Sequence, residues 1–218
     1  MPLLTRLGLP GDERAWAALG FTVGDGGFRI GQVACTIGEP AWGFDEVRAD
    51  PAVLGVAALP DPNTPGVGAA GAGAGAAGTG SLGGTAESGA GAHANGVTFI
   101  DHVVYWVPDL DEAVTNLGAV LGIPPRRRFF PRGPEGPEMA FHRVGEPFIE
   151  TVGAGLADPA LVGVAFMTAD LDAAVDTIRA AGGPIGDPKP AVQGGRIAGV
   201  WRGHLNWGIA FMEPEPGR

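Results

Sequence analysis

One imidazole stands inside an apolar strand. In Ile100-Asp101-His102-Val103-Val104-Tyr105-Trp106-Val107 the β-branched and aromatic residues suit a pleated, half-buried surface, and His102 interrupts them. Strict alternation places Ile100, His102, Val104 and Trp106 on one face, and Asp101, Val103, Tyr105 and Val107 on the other. With the next helix covering the second face, His102 points at whatever the first face encloses. As a type, a lone strand histidine is more often a hydrogen-bonded structural residue than a ligand. His142 and His204 are candidate substitute ligands, but alternation does not fix their facing. Arg126, Arg127, Arg128 and Arg132 form a basic cluster, which reads as a solvated loop unless the substrate is anionic. Cys35 is the single cysteine, so an intrachain disulfide and a Cys-rich zinc site are excluded. No Gly-x-Ser-x-Gly elbow or Gly-Lys-Ser/Thr phosphate loop occurs, and nucleophilic catalysis has no candidate with a partner.

The elements that must position His102 are legible. Pro108 lacks the N–H a ladder needs, and Asp109 stands ready to cap a helix with Glu112 three residues on. Leu110, Ala113, Val114, Leu117, Val120 and Leu121 then give one apolar helix face. Three strands follow: Arg127–Phe130, Glu138–Arg143 and Pro147–Val152. The pattern restarts at Val162, and Asp-Leu-Asp-x-Ala-Val recurs at Asp109 and Asp170. Leu171, Ala174, Val175, Ile178 and Ala181 form the second apolar helix face. Short strands are expected around Pro184–Gly186, Gly195–Trp201 and Trp207–Glu213. The reading is a βαβββ unit written twice with a period of about sixty residues, each copy burying a face of the other.

The rest of the chain is less informative. Residues 1–60 read as a partial folding unit, with strands at Leu3–Leu9, Gly20–Val23, Gly27–Ile30, Val33–Ile37 and Val53–Leu59 and a short helix carrying Trp16 and Leu19. Residues 61–96 read as a Gly/Ala/Ser-rich flexible linker that buries too little apolar surface to offset its ordering entropy. Within it Gly73-Ala74-Gly75-Ala76-Ala77-Gly78 matches the dinucleotide pattern, but neither flanking strand nor helix is present, so the match is compositional. A net charge of −10 over 218 residues argues against nucleic-acid and anionic-membrane surfaces. The N-terminus lacks a signal-peptide pattern and no run is long enough to span a bilayer, so a reducing cytoplasm is expected.

The duplicated βαβββ pattern, opened by Ile100-Asp101-His102-Val103 and Pro108-Asp109-Leu110-Asp111, resembles the glyoxalase/bleomycin-resistance/dioxygenase, or vicinal oxygen chelate, superfamily over residues 97–214. The resemblance implies an α+β fold: paired βαβββ modules, 97–155 and 160–214, in a curved mixed sheet around a cavity, with a shortened module at 1–60. It also implies metal ligands on the first and last strand of each unit. They fall on His102, Glu150 and Glu213, while the remaining position falls on Gly163, which has no ligand. One imidazole and two carboxylates resemble a facial set for a divalent metal that polarises substrate oxygens, with Glu150 or Glu213 also moving the proton. Apolar neighbours support the cup: Val104 beside His102, Phe148 beside Glu150, and Ile209 and Phe211 beside Glu213. Three functions stay open. One is a divalent-metal-dependent lyase, isomerase or dioxygenase acting on a small oxygenated molecule. Another is a metal-free small-molecule binding or sequestration protein. The third is a scaffold in which the N-terminal unit docks on another chain or on the C-terminal domain. A homodimer is left open.

Overall fold

The computed structural model describes residues 1–61, 92–192 and 194–215 of the chain. The dinucleotide-like motif at 73–78 and most of the expected linker lie outside the described residues. The C-terminal strands are β6 (Val97–Val107), β7 (Arg127–Phe129), β8 (Met139–Arg143), β9 (Phe148–Gly153), β10 (Ala160–Thr168), β11 (Lys189–Pro190), β12 (Arg196–Gly199) and β13 (Gly208–Glu213). They form one eight-stranded sheet in the order β11-β12-β13-β10-β6-β9-β8-β7. Within each unit the first strand pairs in parallel with the last, β6 with β9 and β10 with β13. The units meet where β6 and β10 run antiparallel. This is the mixed α+β fold the duplicated pattern implies.

The helices start where their caps stand. Asp109 accepts from the Glu112 N–H at 3.0 Å ahead of α2 (Leu110–Leu121), and Asp170 accepts from Ala173 N–H at 2.9 Å ahead of α3 (Leu171–Ala180). Leu110, Ala113, Leu117, Val120 and Leu121 of α2 are buried, as are Leu171, Ala174, Val175 and Ile178 of α3. Both helices thus cover one face of the sheet, and the other face is left to line a cup.

The N-terminal region forms a second sheet. Its strands are β1 (Leu3–Pro10), β2 (Gly27–Ile30), β3 (Val33–Gly38), β4 (Ala41–Asp45) and β5 (Ala57–Ala58), in the order β2-β3-β1-β4-β5, with α1 (Glu13–Ala18) after β1. Three local expectations change. The expected strand at Gly20–Val23 is an unpaired passage ending at an isolated bridge on Gly24. The strand expected over Val53–Leu59 is a 3-10 turn, Pro51–Leu54, then β5, because Asp50 caps the turn and Pro51 fixes its first residue. Strand β4 was not anticipated. Its central Gly43 is needed for close approach, since a Cβ there would lie 2.4 Å from Arg6 Nε.

This sheet is packed on the helix-bearing face of the larger one. Trp16 and Phe21 reach Phe166 of β10 at ring-centroid distances of 6.2 and 5.0 Å, and Phe21 reaches Phe211 of β13 at 6.0 Å. Trp42 lies 4.9 Å from Tyr105 of β6, whose hydroxyl donates to the Leu54 carbonyl at 2.6 Å. Each such large side chain, buried against its neighbours, contributes on the order of 1.5–3 kcal/mol. His93 and Asn95, which the sequence places in the linker, are buried against this unit. Thr22 N–H donates to His93 Nδ1, and Asn95 donates to the Leu19 carbonyl.

One buried group opposes the fold. His142 shares a face of β8 with Ala140 and Val144, is fully buried, and neither ring nitrogen has a hydrogen-bond partner. Burial pushes its pKa down from 6.5 to about 4. The unfolded chain therefore binds a proton below pH 6.5 that the folded chain refuses. Stability is whole above that value and declines as pH falls towards 4, by roughly 3 kcal/mol in all. Burial also lowers the pKa of His93, which adds in the same direction. We expect His142→Leu to flatten most of this acid slope and to be more stable than wild type near pH 5, measured by urea unfolding. An unchanged slope would show that His142 titrates freely.

Candidate functional site

The site begins with an irregularity in β6. Ala165 pairs with His102 while the next residue, Phe166, pairs with Ile100, so Asp101 is an extra residue opposite β10. Such a bulge re-aims side chains that alternation would separate. Ile100 is buried in the core with Val103, not beside His102 as strict alternation requires, and both Asp101 and His102 line the cup. His102 Nδ1 lies 2.7 Å from Asp101 Oδ2, and its Nε2 lies 3.8 Å from Glu150 Oε2. Glu150 comes from β9, two residues along from the Phe148 that pairs with His102. The side chains of His102 and Glu150 are 18% and 15% exposed. Asp101 is the cup residue that alternation missed; two adjacent polar residues in an otherwise apolar strand were its only signal.

Around this pair lies a cavity of about 510 Å³. Met139, Phe141, Phe148, Met167 and Met212 supply apolar walls, while Arg127, Arg132 and Lys189 bring positive charge. The basic cluster is therefore divided. Arg127 lies over the Phe141 ring at 4.6 Å, and Arg128 is clamped by Glu138 at 2.7 Å and by Asp111 of α2. A second cavity of about 470 Å³ adjoins on the same face, lined by Val104, Trp106, Gly163, Ala210 and Trp207 among others. His102 lines both. The two other histidines considered as ligands do not reach the cup: His142 is in the core, and His204 Nε2 donates to the Ala15 carbonyl at 3.0 Å.

Glu213 borders the first cavity but serves another purpose. Ile209 and Phe211 are core residues, whereas Ala210 and Met212 line the cup, so alternation turns Glu213 towards the helix side. There its carboxylate takes Arg196 Nε at 2.8 Å, and Arg196 also bonds Asp172 of α3 at 2.9 Å. The pairing registers explain the displacement. Glu150 stands opposite Val104, and the matching pair in the second unit is Ala165 with Ala210. Ala210, not Glu213, thus holds the place equivalent to Glu150. The remaining place, Gly163, has no room for a side chain, because a Cβ there would lie 2.6 Å from the Gly208 carbonyl oxygen. Among the described residues no three His, Cys, Asp or Glu side chains are grouped to hold a metal ion. The donors present do not fit the three-ligand set of His102, Glu150 and Glu213.

Residues 101–199 match the family model described as Glyoxalase/Bleomycin resistance protein/Dioxygenase superfamily. This region belongs to that superfamily. Among solved structures, a methylmalonyl-CoA epimerase from Mycobacterium tuberculosis is similar, with 22% identity and TM-score 0.48 over 56% of this chain and 91% of that one. A Streptomyces coelicolor methylmalonyl-CoA epimerase in complex with 2-nitronate-propionyl-CoA shows 20% identity and TM-score 0.46 over 55% and 96%. A hypothetical protein from Bacillus halodurans C-125 shows 15% identity and TM-score 0.46 over 55% and 96%. No curated protein matches. Among the described residues no helix is long and apolar enough to cross a membrane.

In this cup the imidazole is held by carboxylates. Burial pushes the His102 pKa down, but the Asp101 hydrogen bond and the charges of Glu150 and Asp101 push it up, and the net direction is up. Asp101→Asn removes a charge and weakens the hydrogen bond, so the His102 pKa should fall below its wild-type value, and Glu150→Gln should lower it as well. Imidazole NMR titration reads both. A His102 pKa unmoved by Asp101→Asn would mean that the 2.7 Å contact does not persist in solution.

Proposed function

We propose that this protein binds a small organic molecule in the cup and needs no metal to do so. The observation that carries this reading is the cavity in which an apolar methionine and phenylalanine wall surrounds the His102–Glu150 pair. Mostly apolar cavities with a few convergent polar groups are the usual form of a small-molecule site. His102 Nε2 and the Glu150 carboxylate supply a donor and an acceptor for the polar end of a ligand, and Asp101 fixes the ring that presents the donor. The methionines adapt to an irregular guest. A metal-assisted lyase, isomerase or dioxygenase is the less favoured reading, because Glu213 is committed to Arg196 and Gly163 offers no donor. If a reaction occurs in the cup, Glu150 is the base within reach of the imidazole.

A thermal-unfolding screen of the whole protein against small oxygenated acids, alcohols and amides, with and without EDTA, tests this. A ligand present at about one hundred times its Kd stabilises by about 2.7 kcal/mol. We expect stabilising compounds to act equally in EDTA and to lose their effect in His102→Asn and Glu150→Gln. Stabilisation that appears only with an added divalent metal would overturn the reading, as would no stabilisation by any compound.

A further inference from the structure

The two cavities on the cup face are chemically unequal, and the inequality follows from the duplication. His102 and Gly163 stand the same distance ahead of the matching helix caps, Asp109 and Asp170. Glu150 and Ala210 occupy matching places on the last strands. Where the first unit carries an imidazole and a carboxylate, the second therefore carries a hydrogen atom and a methyl group. The second cavity, of about 470 Å³, opens over these small residues. Its floor is nearly bare backbone, because Gly163 pairs with Gly208 and Ala165 with Ala210. Trp106 and Trp207 stand at its sides. The Trp207 indole N–H donates to the Leu161 carbonyl at 3.0 Å, so that wall is held in place.

One charge faces this hollow. Arg202 lines it and takes part in no ion pair among the described residues. The loop that carries it is anchored at several points. Asn206 N–H donates to the Arg202 carbonyl at 2.8 Å, and His204 bonds the Ala15 carbonyl of α1. Leu205 sits against Gly11, whose φ of +97° and lack of a side chain leave it room. The N-terminal unit thus anchors the loop whose Arg202 lines the indole-flanked hollow.

We propose that this second cavity is a subsite for a flat aromatic group bearing a carboxylate. The ring would lie on the Gly163–Ala210 floor between the two indoles, and the carboxylate would pair with Arg202. This rests on the reading of the cup as a small-molecule site and extends it, since His102 borders both cavities and one guest can span them. A planar guest matches a floor of glycine and alanine, and aromatic pairs gain beyond the area they bury. The fork of a guanidinium matches a carboxylate.

Calorimetric titration of the full chain with naphthoate and with its neutral counterpart, naphthalenemethanol, tests the subsite. The wild type is expected to bind both. Ala210→Leu, which fills the floor, should weaken both by about tenfold or more, and Arg202→Gln should weaken naphthoate about tenfold while leaving naphthalenemethanol unchanged. Should Ala210→Leu fail to fold, Arg202→Gln on its exposed loop decides alone. Equal affinity of naphthoate for wild type and Arg202→Gln overturns the proposal, and so does no binding of naphthoate to the wild type. Ile197→Trp, which narrows the first cavity, separates the two readings. If it abolishes binding while the second-cavity variants do not, the subsite fails and the cup reading stands. If no compound stabilises the protein in the thermal screen, the cup reading fails as well.

Discussion

The antiparallel seam between β6 and β10 is the constraint on which the rest depends. It joins the two units into one sheet and sets which side chains face the cup. Its register is not uniform. The extra residue at Asp101 turns two adjacent polar side chains to the same side, and a further shift between Leu161 and Gly163 leaves Val162 unpaired beside the second cavity. A regular ladder would have sent Asp101 into the core beside Val103, where an unpaired carboxylate is costly. The bulge spares that cost and gives His102 a partner at Nδ1.

From that seam the two halves diverge. The first unit presents His102 and Glu150; the second presents Gly163 and Ala210. Its carboxylate at Glu213 is spent on Arg196, which ties β12 and β13 to Asp172 at the start of α3. The first unit has a comparable tie, in which Arg128 joins Glu138 to Asp111 at the start of α2. Both anchor helix to sheet, and each leaves its carboxylates paired with an arginine. The N-terminal sheet adds rigidity from behind through Trp16, Phe21, Trp42 and Tyr105, and it fixes the Arg202 loop through Ala15 and Gly11.

Much of this was legible in the sequence, and the failures are physical. The repeated Asp-Leu-Asp motif marked both helix starts, because the cap, the apolar stripe and the preceding strand all agree locally. The pairing of His102 with Glu150 followed from their places on the first and last strands of one unit. Asp101 was misplaced because alternation is a rule for unbroken strands, and nothing local announces a bulge. Glu213 borders the same cavity as His102 and Glu150, but its carboxylate pairs with Arg196, and only the register shows that Ala210 holds the place equivalent to Glu150. The second cavity had no sequence signal, since its floor is glycine and alanine, which carry no pattern of their own. Strand β4 was hidden by Gly43, a weak strand former that the close approach of Arg6 requires.

The most direct measurement uses the methionines. Three of the four, Met139, Met167 and Met212, line the first cavity, and Met1 is 67% exposed and outside it. With methyl-labelled methionine, NMR titration with any compound that stabilises the protein should shift the three cup signals together and leave Met1 in place. Shifts confined to Met1, or no shift in the three cup methyls on saturation by a stabilising compound, would contradict the account of the cup as the binding site.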